Sequence, residues 1–207
     1  LGGRDLNAYL STGILTDHEC TNAAEALEKM RLGMRIIIRE GSAAKNLAAL
    51  LPIVTDKNYQ NIFFCCDDRH PADLMAEGQI DHILRKAVAA GLDPVRAVQM
   101  ATLHPARHYN LRGLGGIAPG YQADLLVVSD LSSFRIELVF KAGKLAAREG
   151  RYLWSRTGKH AESVSNTVHL LELRGRLGLE KPPQNAVARV IEVQPEQILT
   201  KCLIIPA

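Results

Sequence analysis

Three short apolar runs punctuate the first third of the chain, and each stops at a polar cluster. Ile14-Leu15-Thr16 runs into Asp17-His18-Glu19-Cys20. Residues 34–38 (MRIII) run into Arg39-Glu40-Gly41-Ser42, and residues 61–66 (NIFFCC) into Asp67 and Asp68. Runs of this length, rich in β-branched and aromatic residues, read as buried strands of the kind found in parallel sheets. Between them the pattern predicts helices. Residues 5–11 end a first helix, with Gly13 as its stop signal. Residues 23–32 form a second, capped by Thr21 or Asn22, with Glu25 and Glu28 in its early turns. Residues 43–51 form a third, stopped by Pro52. A long helical region over 72–90 is broken by Gly91-Leu92-Asp93-Pro94, and a shorter helix follows over 94–102.

Strand alternating with helix predicts βαβ units and a parallel sheet. Polar clusters at three successive strand ends point to a (β/α) barrel or an open doubly wound sheet, because such folds collect their chemistry there. Three units cannot close a barrel of eight, so a barrel would need strands from outside this chain. From Gly113 the texture changes. A turn-rich stretch precedes apolar runs at 123–128, 136–142 and 145–147, with Gly143-Lys144 as a hairpin turn. Residues 151–181 are polar and mixed, Pro182-Pro183 reads as a linker, and 186–193 and 198–205 read as strands.

Composition adds little beyond exclusions. The chain has 207 residues, 47% hydrophobic and 23% charged, with a formal net charge of +3. So small a positive balance, spread along the chain, gives no argument for a nucleic-acid partner. No apolar run approaches the roughly 20 residues that span a bilayer, and no signal peptide is visible. Cys20, Cys65, Cys66 and Cys202 include no CxxC pair, and reduced thiols in a cytoplasmic protein are expected. The chain starts without methionine and is expected to be a piece of something longer.

Two strand-end residues stand out chemically. His18 offers an imidazole, the commonest transition-metal ligand. Asp67 offers a carboxylate that can hold a metal and also collect a proton from water activated beside it. Asp17 and Glu19 flank His18 and could orient its second ring nitrogen. Glu40 and Ser42, on the middle strand end, could hydrogen-bond a substrate; Glu40 reads equally as a helix-cap acid. Taken alone, His18 also reads as a hydrogen-bonded loop histidine. His70 reads as a turn residue, and His82, His104 and His108 as structural or solvent-facing. Asp5, Asp56 and Asp73 read as caps or loop acids.

Several stretches resemble the adenine deaminase family of the amidohydrolase superfamily. TDHECT at 16–21, REGSAAKNL at 39–47 and DDRHP at 67–71 carry it, TDHEC and DDRHP together being fairly specific; ATLHPAR at 101–107 and GGIAPGYQAD at 115–124 are shared by amidohydrolases more widely. The resemblance runs from residue 1 to about residue 152 and more weakly beyond. It implies an α/β fold: strands six to eight of a (β/α)8 metal-dependent hydrolase barrel, a small β-sandwich segment and a C-terminal α+β extension. The corresponding domains are 1–112, 113–152 and 153–207. His18 would be the strand-six metal ligand, and Asp67 the strand-eight aspartate that binds metal and shuttles a proton. Asp68 remains the alternative holder of that role and a candidate to face the substrate.

The implied cofactor is a divalent transition metal, manganese or iron, with zinc as the alternative. The implied reaction is hydrolysis of adenine to hypoxanthine and ammonia in purine salvage, by a homo-oligomeric cytoplasmic protein with no membrane or nucleic-acid partner. The family's HxH pair, strand-four acid and strand-five histidine are absent from this sequence, so the chain alone is expected to be inactive. Two other readings compete. One is another amidohydrolase acting on cyclic amides, resembling dihydroorotase. The other is a non-catalytic assembly module, since an incomplete parallel sheet leaves an edge to be paired.

Overall fold

A computed structural model describes residues 1–155 and 185–206. Contacts divide the chain into two compact units. The first is Leu1–Leu153 with Gln194–Leu199, and the second is Trp154–Val193 with Thr200–Ala207.

The first unit opens with helix α1 (Gly3–Leu10). Three parallel strands follow with helices between them: β1 (Thr16–Asp17), α2 (Ala23–Arg31), β2 (Arg35–Arg39), α3 (Leu47–Leu50) and β3 (Ile62–Cys65), in spatial order β1-β2-β3. The alternation predicted this order. The boundaries differ where a neighbour decides them. Ile14 and Leu15 are exposed and lie outside β1, because β2 begins opposite Thr16, the partner of Arg35. Asn22 caps α2 by accepting from the Glu25 N–H at 3.0 Å. Pro52 does not end a helix. It sits in the 3₁₀ turn Leu51–Ile53 that continues α3.

The long helix expected over 72–90 is two helices, α4 (Pro71–Ala76) and α5 (Ile80–Ala89). They part at Gly78, whose φ of +103° no helical residue adopts and only glycine takes freely. Helices α6 (Pro94–Ala101) and α7 (Leu103–His108) follow, and the Asp93 side chain caps α6.

The core lies on one face of this sheet. Ile36, Ile38, Ile62, Phe64 and Cys66 alternate along the strands and pack with Leu47, Leu50, Ile83, Ala87, Ala97 and Met100 from the helices. Phe63, on the other face, is also buried, against the rings of His108 and Tyr109.

Strands β4 (Leu125–Val128), β5 (Ile136–Lys141), β6 (Lys144–Arg148) and β7 (Arg151–Tyr152) make an antiparallel sheet in sequence order. The β5–β6 turn is Ala142-Gly143, both at positive φ, so Lys144 begins β6 rather than completing the turn. In the second unit, β8 (Val187–Val193) and β9 (Thr200–Pro206) pair as an antiparallel ribbon. The linker expected at Pro182-Pro183 lies outside the described residues. No helix among the described residues is long and apolar enough to cross a membrane.

Candidate functional site at the strand ends

The C-terminal ends of the three parallel strands bring His18 and Asp67 together. His18 Nε2 lies 3.9 Å from Asp67 Oδ2, and both side chains are about half exposed, at 44% and 42%. Asp67 stands just past β3 with φ of +50°, in the left-handed region that aspartate tolerates better than most residues. Its carboxylate meets the guanidinium of Arg39, the last residue of β2. Arg39 Nη1 donates to Asp67 Oδ2 at 2.5 Å and lies 3.8 Å from Glu19 Oε1. The Arg39 side chain is only 6% exposed. It rises on the sheet face opposite the helix layer, as the alternation after Ile38 dictates.

The same alternation turns Glu40 the other way. Its side chain is 1% exposed and bound to the Lys86 ammonium of α5. Glu40 therefore does not lie between His18 and Asp67. Ser42 donates to Asp73 and accepts from the His70 N–H at 2.7 Å. Asp68 accepts from the Ala43 N–H at 2.8 Å. Asp68 fits there because residue 41 is glycine: a Cβ on Gly41 would stand 1.6 Å from Asp68 Oδ1. Ser42 and Asp68 thus clasp the loop after β2 to the loop after β3.

Asp17 is turned from the imidazole too. It accepts from the Glu19 N–H at 2.7 Å, from the Cys20 thiol at 3.6 Å and from Lys29. Lys29 also donates to Glu25 at 2.7 Å. Burial works against the lysine's charge, but the Asp17 and Glu25 hydrogen bonds outweigh it and hold its pKa above the ordinary range. Asp17, Cys20 and Glu25 place three potential ligand atoms within 4.8 Å of one another. A lysine ammonium already fills that cluster, and burial pushes the Cys20 thiol up to about 12, leaving it protonated. It is the seat of a lysine rather than of an ion.

His18 and Asp67 bring together an imidazole nitrogen and a carboxylate oxygen, donor types that hold divalent metals, and the carboxylate's Oδ2 also accepts from Arg39. Two residues that the sequence pattern did not single out complete the site: Lys29 and the buried Asn46. Each is a polar residue inside a region of helical pattern; Lys29 bonds Glu25 on its own helix and Asp17 on β1, while Asn46 bonds the backbone of residues on other elements.

The profile described as "Amidohydrolase family" matches residues 4–146. An adenine deaminase of Dehalococcoides mccartyi (strain ATCC BAA-2100 / JCM 16839 / KCTC 5957 / BAV1) is 47% identical over 203 residues, which are 98% of this chain and 35% of that protein. An adenine deaminase of Kosmotoga olearia (strain ATCC BAA-1733 / DSM 21960 / TBF 19.5.1) is likewise 47% identical, over 97% of this chain and 35% of its own length. The chain thus spans about a third of these relatives. Among solved structures, a β-aspartyl dipeptidase from Fervidobacterium islandicum superposes with a TM-score of 0.52 at 22% identity, over 65% of this chain and 37% of that one. That likeness speaks to the fold.

Proposed function

The chain belongs to the amidohydrolase family, and from that premise we propose that the protein carrying it is an adenine deaminase, releasing hypoxanthine and ammonia from adenine and water. The observation that carries this reading is the 47% identity to adenine deaminases across 98% of the chain. In it β1, β2 and β3 are strands six, seven and eight of a (β/α)8 barrel. Strands β4–β7 belong to a small flanking β-sandwich, and residues 153–207 begin a further domain.

His18 and Asp67 would hold a divalent metal, manganese or iron, together with ligands from outside this chain. Such an ion supplies a water of lowered pKa and charge to polarise the reacting carbon. Asp67 would be the base that takes a proton from the attacking water, and Arg39 fixes the direction of its carboxylate. The amine leaves only after gaining a proton, so Asp67 then acts as the acid and returns it. The second water proton ends on the ring nitrogen of hypoxanthine. Asp68 and Ser42 hold the loops that wall the site rather than touching the purine, and Glu40 ties β2 to the helix layer.

The test uses the polypeptide that carries these residues over the relatives' full length, supplied with Mn²⁺ and adenine. Equal amounts of hypoxanthine and ammonia are expected. Turnover of dihydroorotate or another cyclic amide in place of adenine would overturn the assignment.

A further inference from the structure

Strand β1 ends at Asp17, opposite Ile36, while β2 continues for three residues to Arg39. Beyond that point β2 stays paired with β3 but has no strand on its β1 edge, and backbone polar groups in a buried place need a partner there. Asn46 fills the vacancy. Its own N–H donates to the Arg39 carbonyl at 2.9 Å, and its side-chain Oδ1 accepts from the Arg39 N–H at 2.6 Å. Its Nδ2 donates to the Cys20 carbonyl at 2.9 Å and to that of His18 at 3.4 Å. Asn46 is 6% exposed. One buried carboxamide therefore ties the backbone of His18 to that of Arg39, whose side chain in turn holds Asp67. The four residues close a ring: His18, Asn46, Arg39, Asp67.

We infer that Asn46 is a positioning residue that sets the gap between His18 and Asp67. The inference rests on reading those two as ligands of one ion. Both halves of the amide are needed. An aspartate would still accept from the Arg39 N–H, but it would turn a second acceptor toward two carbonyl oxygens and release the His18 segment. A residue that orients ligands in this way is worth roughly 10–100-fold in metal affinity.

The experiment titrates the metal-free polypeptide of the relatives' full length with Mn²⁺ alone and follows its thermal unfolding beside it. Three proteins are compared: wild type, Asn46→Asp, and Met100→Ala. Met100 is fully buried among the helices, away from the ring. Expected for Asn46→Asp is Mn²⁺ binding roughly 10–100-fold weaker, with unfolding still cooperative; for Met100→Ala, a lowered melting temperature with Mn²⁺ affinity unchanged. Asn46→Asp binding as tightly as wild type, or Met100→Ala losing as much affinity, would overturn the inference. Should Asn46→Asp not unfold cooperatively, Asn46→Ser, which removes the bridge without adding charge, is judged by the same two outcomes. Wild type that binds no Mn²⁺ overturns the metal reading and the inference with it. Wild type that binds Mn²⁺ but leaves adenine intact overturns the deaminase reading alone.

Discussion

On the helix side of the three-stranded sheet, Glu40 meets Lys86; on the opposite side, Asp67 meets Arg39. Both are ion pairs of an acid with a base, within a few residues of each other on the same strand ends. Their burial is reversed. In the first pair the acid is sealed, at 1% exposed, and the lysine reaches out at 45%. In the second the arginine is sealed, at 6%, and the acid stands open at 42%. A buried acid with a wet partner is a tie between layers. In the proposed reading the wet Asp67 carboxylate on its buried arginine is held out for use. Exposure alone does not mark it, since Arg69–Glu77 has the same burial at 3% and 46%; what sets Asp67 apart is the imidazole of His18, 3.9 Å away.

In the full-length polypeptide that the proposed deaminase reading concerns, the largest effect should come from Asp67→Asn. The amide oxygen still accepts from Arg39 but the sealed guanidinium loses its counter-charge, so the variant should lose about 2–3 kcal/mol of stability. With no base to take the proton, adenine deamination should fall by roughly 10²–10⁴-fold. Urea unfolding and adenine turnover read the two quantities separately. Near wild-type turnover would remove Asp67 from the chemistry and dissolve the contrast with Glu40.

Lys86→Met should give the mirror image. It leaves the Glu40 carboxylate sealed without its partner, a change expected to cost about 3 kcal/mol in urea unfolding. The folded fraction should deaminate adenine at the wild-type rate, because Lys86 touches nothing on the open face. A stable variant with lost activity would mean that Glu40 reaches the substrate after all.

Much of this arrangement was legible in the sequence. Apolar runs that stop at charge located all three strand ends, and the residue types nominated His18 and Asp67. The direction of Glu40 was legible too: Ile38 faces the helices, and two residues on, so must Glu40. Attention to the strand end as a cluster hid that count. Arg39 stood in the cluster, but its bond to Asp67 spans 28 residues of sequence and belongs to the parallel register of β2 with β3. Lys29 gave half a signal, the Glu25 four residues before it on the same helix, and Asn46 gave none. A buried lysine needs the two acids that neutralise it, and a buried amide needs the broken ladder that it repairs. Neither need exists until the strands are side by side.

The smallest effect is a matter of pH and concerns the structural side alone. His104 opens α7 with its ring buried and set against Tyr59, ring centroids 5.2 Å apart. Burial holds its pKa below the ordinary value of 6.5, with backbone groups of Ile62 and Tyr59 pulling weakly the other way. In the unfolded chain the ring takes its proton near that ordinary value; in the folded chain it resists. As pH falls below 6.5 the unfolded state therefore binds more protons, and folding stability declines until the pH passes the folded value. The contribution is fully present above 6.5 and is lost on the acid side of it. His104→Gln keeps a donor of similar length and cannot titrate. Urea unfolding at pH 7 and pH 5 should show a shallower loss for the variant than for wild type, the other histidines contributing equally to both. Parallel losses would mean that the buried ring titrates as it does in water. Adenine turnover at pH 7 should be the same in both proteins, since His104 lies in the packed layer and not on the face where Asp67 is held open.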